Sequence, residues 1–318
     1  MSHDIVTVGE AMLRIWVPAG ERLEDAPAFR VAVAGAEANV AMAAARMGAR
    51  TAWISSLPDN PLGRRAAREI AGHGVDVRHV HWADTGRMGT YFVELSVPPR
   101  PITVIYDRAG SAAAALDASM IEWGVVESAR IVHISGITPA LSPSCLRLSL
   151  ELAARARAAG VTLSVDVNYR RMLWQPEACR EAMLDLAMEA GLLIVTFEDA
   201  RDVFGLEGDP PEVVAALSAL MRTDRTVLTL GDAGAHWLDR GTPGAAPGYP
   251  AATLDRIGAG DAFAAGTLLG LLGDDLGAGI ETGLAMAALK LGIHGDQLTV
   301  THREVEQLMK GHHREVSR

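Results

Sequence analysis

The sequence predicts an α/β protein with a mostly parallel central sheet, and two observations support this fold class. First, short apolar strand patterns alternate with helical patterns that end at glycine, which is typical of βαβ units. Second, the chain has 318 residues, of which 49% are hydrophobic, so it can bury a large core. The alternation begins with a strand at Ile5–Val8, an Ala-rich helix at Ala36–Met47 closed by Gly48, and a strand at Thr51–Ser55.

The same alternation continues along the rest of the chain. A helix is expected at Leu62–His73, closed by Gly74. Further strands are expected at Ile131–Ile134, Thr162–Val167, Leu192–Thr196 and Arg225–Leu230, and further helices at Ser144–Ala159, Glu177–Ala190, Pro211–Met221, Ala262–Leu272, Ile280–Leu291 and Arg303–Lys310. Strands that alternate with helices predict parallel strand neighbours. The Gly-, Ala- and Pro-rich stretch Gly241–Pro250 is predicted to be a loop.

Two segments interrupt this alternation. Leu13–Val33 contains extended pieces separated by Pro18 and Pro27, and Thr90–Arg108 alternates apolar and polar residues in places. Such patterns are typical of hairpin strands. Because the sequence shows no linker between these segments and the rest, we predict one domain over residues 1–318. Residues 13–33 and 90–108 are expected to contribute a small β lid to it.

Composition narrows the classes of function. The formal net charge is -10 at pH 7, which argues against nucleic acid as the main partner but not against small anionic ligands. The two cysteines, Cys145 and Cys179, form neither a metal-binding pattern nor a disulfide framework, which fits a reducing compartment. The first residues lack a signal-peptide pattern, and no apolar run reaches membrane-spanning length. We therefore expect a cytoplasmic protein without a membrane partner.

A small-residue turn before a helix is the most informative motif. Within Leu254–Gly266, Gly258, Ala259 and Gly260 directly precede Asp261 and an apolar helical run. Small residues let the backbone approach a ligand, and the N–H groups of a first helical turn bind phosphate. The charge of Asp261 would repel a resting phosphate, but it suits a base that deprotonates an attacking hydroxyl during phosphoryl transfer. The alternative is a simple helix cap, and the motif alone does not decide between the two.

A second small-residue turn lies near the start of the chain. In Ala34–Val40, Gly35 precedes a helix whose first turns contain Asn39. An asparagine in this position offers both a donor and an acceptor to a polyhydroxy ligand. Taken alone, the commoner meaning of such a residue is a solvent-facing position on an amphipathic helix.

Together, the two turns resemble those of the ribokinase-like (PfkB) carbohydrate kinases, and the resemblance covers almost the whole chain. It implies a three-layer fold in which helices flank a mostly parallel central sheet, with a small β-sheet lid. Within the family, the sequence is similar to the 2-keto-3-deoxygluconate kinase branch. The segments that carry this similarity are Val6–Arg14, Arg22–Asn39, Tyr106–Ala113, Ser135–Ser142, Asp166–Trp174 and Ala288–Asp296.

The resemblance implies ATP and Mg²⁺ as cofactors and assigns roles to individual residues. Asp261 would be the catalytic base, and the backbone of Gly258, Ala259 and Gly260 would bind the transferred phosphoryl group. The implied substrate residues are Gly35, Asn39, Tyr91, Tyr106, Arg108, Arg170 and Asp255, and the implied nucleotide residues are Thr229, Gly231, Gly234, Gly260 and Ala287.

A substrate that carries a carboxylate is consistent with the two arginines in these motifs. Arginine presents a planar fork that suits a carboxylate. Arg170 follows the predicted strand Thr162–Val167, at the end where open α/β sheets bind ligands, and Arg108 ends a predicted lid strand. The alternative for each arginine alone is a surface ion pair that contributes little to stability.

The sequence departs from the family pattern at three places. The family often has Asn-x-x-Glu where this chain has Thr196 and Asp199, and that Glu helps to hold Mg²⁺ through water. We expect Asp199 or the neighbouring Glu198 to take over this role, because the phosphoryl charge still has to be neutralised. Ala34 replaces a usual glycine, which requires a negative φ there. Arg256-Ile257 replaces two threonines near the expected γ-phosphate.

The sequence therefore predicts an ATP-dependent kinase that phosphorylates the terminal hydroxyl of 2-keto-3-deoxygluconate. The alternatives are 2-keto-3-deoxygalactonate or a neutral sugar such as fructose as the substrate. A different class, a non-catalytic sensor of a sugar acid or nucleotide, is disfavoured by the intact Asp261 turn. A dinucleotide-dependent enzyme is disfavoured because no Gly-x-Gly-x-x-Gly follows the first strand. The resemblance also implies a dimer, because lids in this family often pair between subunits.

Overall fold

Three β-sheets organise the described part of the chain. This computed structural model describes residues 2–97 and 99–311 and contains one eight-stranded, one four-stranded and one two-stranded sheet. The strands are β1 Ile5–Val8, β2 Met12–Val17, β3 Arg30–Ala34, β4 Thr51–Ile54, β5 Ser56–Pro58, β6 His81–Ala83, β7 Gly89–Glu94, β8 Thr103–Asp107, β9 Ile131–Ser135, β10 Thr162–Asp166, β11 Leu192–Thr196, β12 Arg225–Thr229, β13 Ala235–Asp239 and β14 Thr242–Ala246. The helices are α1 Ala36–Arg46, α2 Pro61–Gly72, α3 Trp123–Glu127, α4 Ile137–Ala140, α5 Pro143–Ala158, α6 Pro176–Ala187, α7 Phe197–Phe204, α8 Pro210–Met221, α9 Ala259–Leu272, α10 Leu276–Leu291 and α11 His302–Met309.

The eight-stranded sheet determines where the functional loops meet. Its strand order is β14-β13-β12-β11-β10-β9-β1-β4. All neighbours from β4 to β12 are parallel, and β13 and β14 add antiparallel strands at one end. In an open α/β sheet, ligands bind outside the carboxyl ends of the parallel strands. The residues that follow β1, β9, β10, β11 and β12 therefore gather at one edge, called here the carboxyl edge.

The predicted loop at Gly241–Pro250 is wrong in its first half. Thr242–Ala246 forms β14, which pairs with β13 from Ala235↔Ala246 to Asp239↔Thr242. Glycine and proline disfavour central strands, and this composition led to the loop prediction. As the last strand of the sheet, β14 needs ladder partners on one side only, so it tolerates both residues.

Apolar side chains fill both faces of the large sheet. On one face, α5 and α8 contribute the buried Leu148 and Leu217, and on the other, α9 and α10 contribute Leu268 and Ile280. The predicted fold class, a mostly parallel sheet between two helical layers, is confirmed. Within the described ranges, the helices are too short or too polar to cross a membrane.

The four-stranded sheet is separate from the large one and has the order β3-β2-β7-β8. One of its faces packs Met12, Trp16 and Val93 together, and Ile257 from the loop before α9 packs against them. The predicted small sheet is thus confirmed. Its contact with Ile257 places it beside the small-residue turn.

Candidate active site

Three carboxylates and one arginine gather at the carboxyl edge. Asp166 ends β10, and Asp199 and Asp261 lie in the first turns of α7 and α9. Burial raises the pKa of Asp166 to about 8, and the charges of Asp261 and Asp199 add to this rise. Burial also raises the pKa of Asp199 to about 6. The positive charge of Arg170 opposes the rise in pKa at all three aspartates. The cluster therefore combines three carboxyl groups whose pKa values are raised toward neutral pH with one nearby cation.

Asp261 has the surroundings of a general base. Its Oδ2 accepts a hydrogen bond of 2.7 Å from Nδ2 of Asn39 in α1, across a sequence separation of 222 residues. Burial raises the pKa of Asp261 to about 7, and the hydrogen bond from Asn39 opposes that rise. A base whose pKa lies near the working pH is effective in proton transfer. The structure thus joins Asn39 to Asp261, and Asn39 is buried rather than solvent-facing.

The turn before α9 requires glycine at its first position. Gly258 caps the helix with a φ of 89° and without a side-chain hydrogen bond. A Cβ at Gly258 would lie 2.0 Å from the carbonyl oxygen of Asp296, so both conformation and space exclude larger residues. Because Gly258 is the cap, the alternative that Asp261 only caps this helix does not hold. The N–H groups of a first helical turn lack intrahelical acceptors and favour a nearby anion. Here the N–H of Ala259 donates to the carbonyl of Arg256 at a long 3.4 Å.

Arg170 reaches the cluster from the loop after β10. Asn168 in this loop has a φ of 41°, which is unusual for a residue other than glycine and turns the chain at the strand end. The side chain of Arg170 is exposed, and its Nη1 donates to the neighbouring carbonyl of Tyr169 at 3.1 Å. Most of its five donors therefore point to no described residue and can serve an anion.

Arg108 is held by a buried carboxylate. Its Nε lies 2.8 Å from Oε2 of Glu10, its Nη2 contacts the same oxygen, and Glu10 is 2% exposed. The hydroxyl of Ser111 donates to the other oxygen of Glu10. Because Glu10 follows β1, this ion pair fixes the end of β8 to the carboxyl edge. A guanidinium has five donors, so Arg108 retains Nη1 for a second acceptor.

Gly35 permits a close approach between α1 and the end of β1. A Cβ at Gly35 would lie 2.0 Å from the carbonyl oxygen of Glu10. Its φ of 178° is ordinary extended backbone, so space rather than strain requires glycine. In the same helix, the buried Glu37 accepts hydrogen bonds from the hydroxyls of Ser135 and Thr138, at 2.7 and 2.8 Å. These bonds fix the start of α1 against the end of β9.

Two residues predicted to bind substrate are instead engaged in a buried ionic network. Tyr91 is 2% exposed, and its hydroxyl donates to Oδ2 of Asp296 at 2.6 Å. Asp255 is fully buried and accepts from Nη2 of Arg14 at 2.5 Å and from the N–H of Gly295 at 3.0 Å. Arg14 also donates to Asp296 at 2.5 Å. Because these polar groups are satisfied inside the protein, we correct the roles of Tyr91 and Asp255 from substrate ligands to supports.

Tyr106 remains at the surface beside Arg108. It is 44% exposed and stacks on Tyr91 with ring centroids 5.6 Å apart. The guanidinium of Arg108 lies 5.8 Å from its ring centroid. Of the two tyrosines, it is therefore Tyr106 that presents an aromatic face to a ligand next to the arginine.

The residues predicted to bind nucleotide also lie at the carboxyl edge. Thr229 ends β12, Gly231 begins a short 3-10 turn, and Gly234 has a φ of 107°. A Cβ at Gly234 would lie 2.0 Å from a carbonyl oxygen of β14, so this loop needs glycine. Ala287 is half-buried in α10. The last carbonyl of α10 accepts the N–H of Leu254 at 2.8 Å, which ties this helix to the turn before α9.

The residues at the end of β11 fit a role in holding Mg²⁺. Thr196 caps α7 by accepting the N–H of Asp199 at 3.0 Å. Asp199 points into the carboxylate cluster, whereas Glu198 is exposed. Carboxylate oxygens are preferred Mg²⁺ ligands, and a cation would relieve the charge crowding that raises the pKa of Asp166. Asp199 and Asp166 therefore fit this role better than Glu198.

Sequence reasoning missed several residues that position the site. Asp166 ends β10 and Glu10 lies two residues after β1, and this placement at the carboxyl edge was a usable signal. The pairing of Arg14 with Asp296 had no such signal, because 282 residues separate them.

With the geometry established, the family can be assigned. The family model of the pfkB family carbohydrate kinases matches residues 2–303. The chain belongs to this family. The predictions of the family and of a carbohydrate kinase are thereby confirmed.

This PfkB kinase is similar to sugar-acid kinases over nearly its whole length. It is 40% identical to a 2-dehydro-3-deoxygalactonokinase of Haloferax volcanii, over 98% of both chains. It is 32% identical to a 2-dehydro-3-deoxygluconokinase of Thermoproteus tenax, over 96% of this chain and 94% of the relative. The crystal structure of a 2-dehydro-3-deoxygluconokinase from Thermotoga maritima superposes with a TM-score of 0.92 at 31% identity, covering 98% of this chain and 99% of the other.

Proposed function

We propose that this PfkB kinase transfers the γ-phosphoryl group of ATP to the terminal hydroxyl of a 2-keto-3-deoxy sugar acid. The observation that carries the proposal is the pairing of Asp261 with Asn39 at the start of α9, with Arg170 beside it. The base and the turn suit phosphoryl transfer, and the arginine suits an anionic substrate. The printed names of the relatives, which are kinases of 2-dehydro-3-deoxy acids, support the same substrate class.

In the proposed reaction, the carboxylate of Asp261 accepts the proton of the substrate hydroxyl as the hydroxyl oxygen attacks the γ-phosphorus of ATP. The bond from that phosphorus to the oxygen bridging the β-phosphate breaks, and ADP leaves. The hydrogen bond from Asn39 orients this carboxylate. The first-turn N–H groups after Gly258 stabilise the negative charge on the transferred group. When bound, Mg²⁺ neutralises charge on the phosphates, and Asp199 and Asp166 would hold it.

The other end of the substrate is proposed to meet the lid. Arg108, fixed by Glu10, would bind the carboxylate through Nη1, and the exposed ring of Tyr106 would pack on the carbon chain. Arg170 would contribute a second donor group. Holding one end of the acid in this way orients its far hydroxyl toward Asp261, which reduces the entropic cost of the reaction.

Two epimeric acids compete as the preferred substrate. The sequence motifs favoured 2-keto-3-deoxygluconate, whereas the relative at 40% identity is named a 2-dehydro-3-deoxygalactonokinase. The two acids differ in the configuration of one hydroxyl group, which a local side-chain change can select. We therefore propose 2-keto-3-deoxygalactonate as the preferred substrate and 2-keto-3-deoxygluconate as the second candidate.

An ADP-release assay with Mg²⁺ tests the substrate class directly. The panel contains 2-keto-3-deoxygalactonate, 2-keto-3-deoxygluconate, fructose and ribose at equal concentrations. We expect turnover of the keto acids, with a higher kcat/KM for the galactonate epimer. Turnover of fructose alone would replace the proposal with a neutral-sugar kinase. Binding of a keto acid without any ADP release would indicate a non-catalytic sensor.

Arg170→Ala tests the proposed recognition of the carboxylate. Because the side chain of Arg170 would contact the substrate anion, its loss should raise KM for the keto acid about tenfold or more, as expected for a charge-assisted hydrogen bond of about 1.5–3 kcal/mol. The matched control is Arg171→Ala, which removes an exposed arginine from the next position. Equal KM values for the two variants would show that Arg170 does not bind the acid.

A further inference from the structure

A cluster of two histidines and one aspartate lies away from the proposed active site. His3 precedes β1, whereas Asp76 and His79 follow α2. Asp76 pairs with Ala52 near the start of β4. The cluster therefore lies at the amino ends of β1 and β4, and the large sheet separates it from the carboxyl edge.

The distances from the aspartate to the two histidines are close to those of a tetrahedral metal site. Nε2 of His3 lies 3.1 Å and Nε2 of His79 lies 3.6 Å from Oδ2 of Asp76, and all three atoms lie within 4.8 Å of one another. With metal–ligand bonds of about 2.0–2.1 Å, tetrahedral geometry places neighbouring ligand atoms about 3.3–3.4 Å apart. The three side chains are 13–14% exposed, so an ion and one water molecule have access.

A fourth residue orients one of the histidines. Nδ1 of His79 lies 2.9 Å from Oε2 of Glu122, next to the start of α3. Its Nε2 is buried and has no hydrogen-bond partner among the described residues. If Nδ1–H donates to Glu122, the lone pair of Nε2 faces the carboxylate of Asp76, and this contact is repulsive unless a cation lies between them. Carboxylates that orient metal-bound histidines in this way are typical of metal sites.

One neighbouring group competes for the aspartate. Arg78 donates from Nε to Oδ1 of Asp76 at 2.9 Å and from Nη2 to Oδ2 at 2.6 Å. These hydrogen bonds hold the guanidinium on the carboxylate, so a metal ion has to compete with Arg78 for Oδ2. Arg78 is itself 81% exposed and can move away from Oδ2.

We propose that His3, Asp76 and His79 form a site for a divalent transition-metal ion, with Glu122 orienting His79. Two imidazoles, one carboxylate and one water are a ligand set that suits Zn²⁺. The bound ion would connect the segment before β1 to the loop after α2, and Glu122 would extend the connection to α3. The site stabilises the fold and takes no part in phosphoryl transfer, so the inference stands independently of the proposed function.

Co²⁺ and Zn²⁺ binding to untagged, chelator-treated protein tests the site, with excess Mg²⁺ present to occupy the carboxylate cluster. We expect the visible absorption of tetrahedral Co²⁺ at one equivalent and a higher Tm with Zn²⁺. His79→Gln and His3→Gln should each abolish both signals. His81→Gln, which changes a nearby histidine outside the cluster, should retain them. Far-UV circular dichroism of the metal-free variants confirms folding.

Two further variants make the test specific to this geometry. Glu122→Gln should weaken Co²⁺ binding about tenfold, as loss of an outer-shell partner does. Arg78→Ala should strengthen it, because the guanidinium no longer competes for Asp76. Absence of tetrahedral Co²⁺ absorption in the wild-type protein, or equal binding by wild type and His79→Gln, would overturn the proposal and indicate that protonated histidines form ordinary ion pairs with Asp76.

Discussion

Asp261 and Asn39, which lie near opposite ends of the chain, are joined by a hydrogen bond in the proposed active site. The carboxylate lies in a largely buried cluster, which favours its protonated form, and the amide donor favours its ionised form. The balance leaves the pKa of Asp261 at about 7. Burial therefore raises, and the hydrogen bond from Asn39 lowers, the pH at which the proposed base becomes active.

Asp261→Asn removes the proposed base while preserving the shape of the side chain. We expect kcat to fall by about 10²–10⁴-fold, the usual contribution of a positioned general base. Substrate binding, measured by calorimetry, should change little. Near-normal turnover of Asp261→Asn would show that another group accepts the proton.

Asn39→Ala should move the pH profile rather than simply lower the rate. Because the Asn39 hydrogen bond lowers the pKa of Asp261, its loss raises that pKa, and the acidic limb of kcat/KM shifts to higher pH. The control is Asn60→Ala, which removes the cap of α2 and should lower stability by about 1 kcal/mol without this shift. Identical acidic limbs for wild type and Asn39→Ala would contradict the assigned contact.

At the scale of elements, a buried ionic network connects the small sheet to the turn before α9. Arg14 on β2 donates to Asp255, which precedes this turn, and to Asp296, whose carbonyl oxygen lies against Gly258. Lys290 in α10 donates to the carbonyl of Asp255 at 3.1 Å. The network therefore fixes the position of β2 relative to the small-residue turn before α9.

Arg14→Met should destabilise the protein strongly. Removing one partner leaves two buried carboxylates without their cation, and breaking a buried ion pair costs about 3–5 kcal/mol. Urea unfolding measures this change. Arg22→Met is the control, because that arginine is 55% exposed and its ion pairs are long, at 3.8 and 3.9 Å. Similar unfolding midpoints for the two variants would mean that the network contributes little to stability.

At the scale of the whole molecule, the carboxylate cluster makes stability depend on pH. The pKa of Asp166 is about 8 and that of Asp261 about 7 in the folded state, whereas an unfolded aspartate has a pKa of about 3.9. These two carboxyl groups thus bind protons more tightly in the folded state than in the unfolded state. This contribution to stability is fully present below about pH 4 and is lost as the pH rises through the folded pKa values.

We therefore expect the free energy of unfolding of the ligand-free protein to fall between pH 6.5 and about 8.5. Burial lowers the pKa of His133 from 6.5 to about 4, so protonation of this histidine affects stability only below about pH 6.5 and does not contribute in this window. Asp166→Asn should flatten the slope, because the amide does not titrate. Denaturant titrations at fixed ionic strength provide the measurement. A slope unchanged by Asp166→Asn would indicate that this carboxyl titrates normally.

The sequence by itself did not indicate β13 or α7, but it determined the alternation of the parallel strands with helices and the residues next to the carboxyl edge. Local patterns suffice for this, because strand and helix periods and glycine stops are properties of neighbouring residues. The sequence also indicated the turn at Gly258–Asp261 through its small residues. It failed at β14, where only the edge position of the strand explains why glycine and proline are tolerated.

Only the tertiary structure decided which of the polar residues are engaged inside the protein and which stay exposed. Tyr91 and Asp255 carry groups that could bind a sugar, yet burial against Asp296 and Arg14 engages them inside the protein. Asn39 likewise contacts Asp261 rather than solvent, because packing brings α1 and α9 together. Hydrogen bonds and ion pairs between residues more than 200 positions apart leave no local pattern, so their partners are settled when the chain packs.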